Sequence, residues 1–402
     1  MDSVIVVGGG LAGLRAAQGL REGGHTGAIT LVSAERHLPY DRPPLSKDVL
    51  AGAADDTTLE ADWDALRCEV LLGERATGLR LDAPGAGGAL ASTAGELRFD
   101  GLVIATGAAP VTLPGGGRQR VLRTVEDALD LRAALVPGTR LAIVGAGWIG
   151  AEVATAAAAK GCAVTVVEAA EAPLASALGP EVGALTARWY AEAGVGLRTG
   201  VKVAAVEDGG LALAGGERID ADEVVVGVGV RPVLGWLEGS GLLLERGVVT
   251  DASFRATGAD GAPRPDVVAV GDCAAWWSAR YGRRLLVEHW DTALNAPAVA
   301  AAALLGRDAA YDAVPYFWSE QFGRMVQYAG VHGASERLVR RGDPAEAAWA
   351  VVWLTGDRLD AILAVGRPRD LVQARRVIAA GTPVDPAALA DPGVPVRQAV
   401  RA

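Results

Sequence analysis

Val4 to Leu20 reads 4-VIVVGGGLAGLRAAQGL-20: four β-branched residues, a run of glycines, then a stretch rich in alanine and leucine. A buried strand that breaks at glycine and restarts as a helix is the opening of a βαβ unit. Gly8, Gly10 and Gly13 fall at the Gly-x-Gly-x-x-Gly spacing of a dinucleotide-binding turn. There Gly8 permits the tight turn, Gly10 lets the backbone approach a pyrophosphate, and Gly13 lets helix and strand pack closely. Leu11 and Ala12 open the helix, whose N-terminus offers unpaired N–H groups to phosphate oxygens. Glu35 ends the next strand, 22 residues beyond Gly13, where a carboxylate can accept hydrogen bonds from an adenosine ribose.

The same grammar returns at 141-LAIVGAGWIGAEVATAAAAKG-161. Gly145, Gly147 and Gly150 carry the spacing, Trp148 and Ile149 open the helix, and Glu168 ends the following strand 18 residues after Gly150. An acid there favours a free ribose 2′-hydroxyl and repels a 2′-phosphate, and 169–178 holds no Arg or Lys to grip one. NADH is therefore the expected donor and NADPH the less favoured one. Two fingerprints could also arise by duplication with one dead copy, but 271-GDCA-274 argues for two working sites. Asp272 follows a buried strand, where a carboxylate can hold a flavin ribityl hydroxyl; the plainer reading is a cap on a following helix.

Between the repeats lie a proline-rich loop, 39-PYDRPPLSK-47, and mixed structure ending in the strand 102-LVIATG-107. Two further apolar strands are expected at 223-EVVVGVGVRP-232 and 266-DVVAVGDCA-274. From about Pro315 the pattern alternates, and 348-AWAVVWLTGDRLDAILAV-365 reads as an antiparallel hairpin turning at Thr355-Gly356-Asp357. At 402 residues the chain exceeds one comfortable core. A net charge of −10 speaks against nucleic-acid binding. Met1 leads almost directly into a strand and the alanine run 298–305 is too short to span a bilayer, so a cytoplasmic, membrane-free protein is expected. Cys68, Cys162 and Cys273 are far apart, with no Cys-x-x-Cys, which disfavours a redox dithiol, a zinc site and an internal iron–sulfur cluster.

Taken together, 8-GGGLAG-13, 40-YDRPPLSK-47, 103-VIATGA-108, 145-GAGWIGAE-152, 228-VGVRP-232, 271-GD-272, 288-EHW-290 and 315-PYFWSEQ-321 resemble the bacterial ferredoxin reductases that serve oxygenases. The resemblance runs over nearly the full length. It implies an α/β chain with two Rossmann-like dinucleotide-binding domains in a glutathione-reductase-like layout, plus a small C-terminal α+β domain. The implied boundaries are an FAD domain at 1–112 and 245–314, an NAD domain at 113–244, and a C-terminal domain at 315–402. It further implies that Arg42, Lys47, Ala105, Thr106, Gly107, Gly271 and Asp272 line FAD, with Lys47 beside the isoalloxazine and Glu152 paired to it. His289 and Trp290 would sit by the flavin, Trp318 where the C-terminal domain meets its edge, and Gly229 among the cofactor-binding residues. A fixed cation near the reactive nitrogen stabilises negative charge as hydride arrives, so Lys47 and Glu152 are the expected catalytic pair.

The implied activity is electron transfer from NADH through FAD to a small acidic [2Fe–2S] ferredoxin, and through it to an oxygenase. A monomer or weak dimer is expected. Rival readings are a quinone or monodehydroascorbate type of reductase and a redox-gated flavoprotein resembling apoptosis-inducing factor. Three departures bear on the partners: Ser176 where many relatives place an arginine, Asn295-Ala296-Pro297 where some carry docking residues, and Gly366 for a usual asparagine. Arg280, Arg283, Arg284, Arg367 and Arg369 are the candidate docking cations.

Overall fold

The computed structural model describes residues 1–307, 309–333 and 335–401. The chain divides into two compact units. One comprises Met1–Asp41, Thr57–Ala109 and Arg231–Pro315; the other comprises Arg42–Asp56, Pro110–Val230 and Tyr316–Ala402.

In the first unit the opening strand, Ser3–Val7, is buried from Val4 onward. It lies between two parallel neighbours, Ala28–Ser33 and Gly101–Ile104. Cys68–Leu72 and Pro263–Ala269 extend the parallel core on either side. A parallel strand covered on both faces must be continuously apolar, which is why Val4–Val7 does not alternate. Helix Leu11–Glu22 crosses helix Trp290–Leu304 closely: a Cβ built on Gly19 would lie 3.2 Å from the Ala301 Cβ. Small residues on both helices set that distance.

The second unit repeats the theme in a parallel sheet ordered Gly196–Arg198, Ala163–Val167, Arg140–Val144, Glu223–Val226. Helix Trp148–Ala159 buries Gly150, Ala151, Val153, Ala154, Ala156 and Ala157. The C-terminal segment forms an antiparallel sheet ordered Tyr316–Gln321, Arg324–Gly330, Arg358–Val365, Trp349–Thr355, Arg337–Arg341, joined by helix Pro368–Ala380. Trp349, Val351 and Leu363 of this sheet share a core with Leu174, Leu178 and Trp189. The expected hairpin is present, with Thr355 opposite Arg358.

Three expectations need correction. The strand expected over 102–107 ends at Ile104, leaving Ala105, Thr106 and Gly107 as loop. The strand expected over 223–232 ends at Val226, with the Gly227 N–H still bonded to the Val144 carbonyl at 2.8 Å, and Val230–Pro232 is a separate strand outside that parallel sheet. The strand expected over 266–274 runs Pro263–Ala269 and ends before Asp272, which lies in a short 3-10 turn, Gly271–Cys273, leading into strand Ala274–Ser278 rather than capping a helix. Gly366 has φ +62°, a left-handed conformation that asparagine also tolerates. Among the described residues no helix is long and apolar enough to cross a membrane.

Candidate functional site

The first fingerprint turns at the carboxyl ends of Ser3–Val7, Gly101–Ile104 and Pro263–Ala269, where open α/β sheets bind ligands. Its glycines have distinct surroundings. A Cβ on Gly8 (φ +122°) would meet the Ala105 carbonyl at 2.1 Å, and one on Gly13 would meet the Gly8 carbonyl at 1.9 Å. One on Gly10 would meet nothing within 4 Å. The outer glycines are thus required by packing, while the middle one leaves an open cradle before a 12-residue helix that no side chain caps. That is the space a pyrophosphate needs, and the residues fit one.

Two neighbouring segments complete this side. A Cβ on Gly271 would lie 3.1 Å from the Ala12 Cβ, so Asp272 stands beside the start of the fingerprint helix. Thr106 donates to the Val233 carbonyl at 2.9 Å, and Val270 donates to the Ile104 carbonyl at 2.9 Å. Glu35 accepts a hydrogen bond from buried Tyr40 at 2.5 Å. Burial pushes the His289 imidazole down to about 4, against the opposing pull of the Asp272 carboxylate. Trp290 donates Nε1 to Asp41 at 2.6 Å. Asp41 sits within the 40-YDRPPLSK-47 landmark, yet nothing local distinguishes it as the partner of Trp290.

The second fingerprint copies the first almost atom for atom. A Cβ on Gly145 (φ +100°) would lie 2.4 Å from the Gly227 carbonyl, one on Gly150 2.0 Å from the Gly145 carbonyl, and one on Gly147 would meet nothing within 4 Å. Glu168 is already fixed: Oε2 accepts from Ala146 N and Oε1 from Ala170 N, both at 2.8 Å. Each oxygen keeps acceptor capacity for a ribose hydroxyl. Ile149 is exposed at the helix start, whereas Trp148 turns edge-on against Phe317, ring centroids 4.6 Å apart. The Gly229 carbonyl accepts from Val111 N at 3.0 Å. Trp318 stacks on Tyr316 at 6.2 Å.

Lys47 and Glu152, 105 residues apart in sequence, form a salt bridge of 2.9 Å. The Glu152 side chain is 4 % exposed and that of Lys47 15 %. Ser46 donates to the same oxygen, Oε2, and Ser319 donates to Oε1 at 2.6 Å. Neither serine was singled out from the sequence. Arg42 donates to the Arg123 carbonyl at 2.6 Å. The anticipated residues therefore fall into two sets. Those of the first fingerprint, Glu35, Ala105–Gly107, Gly271, Asp272, His289 and Trp290 belong to the first unit; Arg42, Lys47, Glu152, the second fingerprint, Glu168, Gly229 and Trp318 belong to the second.

The candidate docking arginines are less uniform than their clustering suggests. Arg280 is bound to Asp312 at 3.0 Å and Arg367 to Asp370. Arg283, Arg284 and Arg369 are exposed. Pro297 is buried inside helix Trp290–Leu304; Asn295, not Pro297, faces outward. The three cysteines are free, and burial raises the Cys68 and Cys273 thiols to about 11, far from a reactive thiolate.

Two open glycine cradles, each followed by a carboxylate just past the next strand, define a two-dinucleotide oxidoreductase. Residues 2–297 match the family described as pyridine nucleotide-disulphide oxidoreductase, and residues 316–400 match the reductase C-terminal family. The chain belongs to the pyridine nucleotide-disulphide oxidoreductase family, and its cofactors are FAD and NADH. It is 40 % identical to the anthranilate 1,2-dioxygenase system ferredoxin–NAD(+) reductase component of Burkholderia cepacia, over 98 % of each chain. Among solved structures it resembles Fdr9 (TM-score 0.92, 47 % identity, 98 % of this chain and 99 % of that one). It also resembles the reductase of a covalent putidaredoxin reductase–putidaredoxin complex (TM-score 0.92, 33 % identity, 99 % and 97 %).

Proposed function

We propose that this chain is the reductase of an oxygenase system, taking electrons from NADH and delivering them to a small acidic [2Fe–2S] ferredoxin. The observation that carries this reading is likeness over essentially the whole chain, C-terminal segment included, to a relative named for that reaction. FAD, when bound, supplies the link between a two-electron donor and a one-electron acceptor. The chain's own part is to hold, orient and polarise. Gly10 and Gly147 leave room for the two pyrophosphates, and Glu35 and Glu168 accept ribose hydroxyls. Asp272 holds a flavin hydroxyl, with His289 and Trp290 close to it in the fold. Lys47 supplies the cation that stabilises charge as hydride arrives, and Glu152 holds Lys47 in place.

The reading divides the chain into an FAD domain (1–112 and 245–314), an NAD domain (113–244) and a C-terminal domain (315–402), working in the cytoplasm. The test is NADH oxidation with a panel of [2Fe–2S] ferredoxins, with a quinone and ferricyanide as controls. Turnover with an acidic ferredoxin at least tenfold above the quinone is expected; a preference for the quinone would make the chain a small-molecule reductase.

A further inference from the structure

Within the second unit, helix Trp148–Ala159 and strand Tyr316–Gln321 meet along matched stripes. Trp148 packs against Phe317, Glu152 accepts from Ser319, and Thr155 Oγ1 accepts from the backbone N–H of Phe322 at 2.9 Å. The helix positions advance by four and then three, which is one face of a helix, and Phe317 and Ser319 share one face of the strand. The stripe carries the buried Ser319 hydroxyl to Glu152 Oε1 at 2.6 Å. The Glu320 N–H adds a longer contact of 3.4 Å to the same oxygen. Buried Gln321 donates Nε2 to Ser319 Oγ at 3.1 Å. Since Ser319 accepts from Gln321, its single proton is directed at Glu152. The two carboxylate oxygens therefore divide their work: Oε1 is held by the strand, and Oε2 holds Lys47 and Ser46.

We propose that Ser319 is a positioning residue for the hydride step, locking Glu152 through Oε1 so that Oε2 keeps the Lys47 ammonium in place, with Gln321 setting the direction of the serine proton. This rests on the assignment of Lys47 and Glu152 to that step. A carboxylate this deeply buried needs its acceptor capacity filled, and Ser319 is the short donor to its inner oxygen. A strand of the C-terminal segment thus acts on the hydride step as well as on whatever partner that segment meets.

The chain has three lysines, Lys47, Lys160 and Lys202, so competitive acetylation of the holoenzyme read by mass spectrometry reports Lys47 against two internal standards. A lysine loosened from its carboxylate swings out to the reagent more often, so Ser319→Ala should acetylate Lys47 about fivefold faster than wild type. Flavin reduction at saturating NADH should slow about tenfold, with KM changed less than about twofold. Ser319→Thr, which keeps the hydroxyl, should restore both. Unchanged Lys47 acetylation in Ser319→Ala would overturn the proposal, whether or not reduction slows. Equal losses in the Ala and Thr variants would also overturn it, since they would mark a packing defect. Lys47→Met separates the two levels of inference. If it reduces flavin at the wild-type rate, the assignment of the pair fails; if it is slow while Ser319→Ala behaves as wild type, only the role of Ser319 fails.

Discussion

Gly10 and Gly13 lie three positions apart, yet a methyl group added to each meets opposite surroundings. Gly10→Ala should fold with a loss of about 1 kcal/mol or less while losing most of its FAD, because the new methyl occupies the cradle alone. Gly13→Ala forces the Gly8 carbonyl to move and should cost several kcal/mol, whatever the flavin content. Apoprotein melting and the flavin-to-protein absorbance ratio separate the two. His289 gives a pH test. Its folded value of about 4 lies below the ordinary 6.5, so the native state resists the proton that the unfolded chain accepts. Stability from this group is complete above about pH 6.5 and is lost progressively as pH falls towards 4. Urea unfolding at pH 7 and pH 5 should therefore differ by about 2 kcal/mol less in His289→Asn than in wild type. An identical pH dependence in both proteins would show that His289 is solvated. The glycines were legible in sequence because their spacing within a six-residue turn marks them, even though the Ala105 carbonyl that excludes a Cβ on Gly8 lies far along the chain. Asp41, Ser46 and Ser319 were not, since their partners lie 249, 106 and 167 residues away and a short polar side chain gives no sign of such a partner.

At the scale of elements, the two βαβ units were readable because strand, turn, helix and acid follow one another without a break. Strand limits were less so. Ile104 and Val226 end their pairing although the apolar run continues past each, because the loops beyond them turn towards the fingerprints at Gly8 and Gly145. Asp272 looked equally like a helix cap because sequence does not separate a 3-10 turn entering a strand from a helix start. In the proposed function, the acid closing the second unit sets coenzyme choice. Glu168 accepts from Ala146 and Ala170 of its own unit, and swinging away from a 2′-phosphate would break both hydrogen bonds. NADPH should therefore reduce the flavin at least about thirtyfold less efficiently than NADH, a penalty of about 2 kcal/mol or more. Stopped-flow reduction with both coenzymes measures it. Glu168→Gln should narrow the gap by removing the repulsion, and a wild-type preference for NADPH would refute the role of the acid.

For the whole molecule, a net charge of −10 opposes an acidic partner, so docking must rest on local positive charge. With Arg280 and Arg367 engaged by their own aspartates, Arg283 and Arg284 remain the exposed pair on the first unit. Arg283→Glu or Arg284→Glu should lower ferredoxin reduction several-fold and leave ferricyanide reduction intact. The wild-type ferredoxin rate should fall as salt rises above about 0.1 M, where the Debye length drops below ~10 Å. Salt-independent rates, unaffected by either reversal, would place the docking surface elsewhere. The central claim, that electrons pass from NADH through FAD to a ferredoxin, is tested most directly by anaerobic double mixing. NADH should bleach the flavin's visible absorbance, and an acidic [2Fe–2S] ferredoxin added next should restore it, with two ferredoxins reduced per NADH consumed. Bleaching that NADH produces but no ferredoxin reverses, while a quinone reverses it at once, would contradict the account.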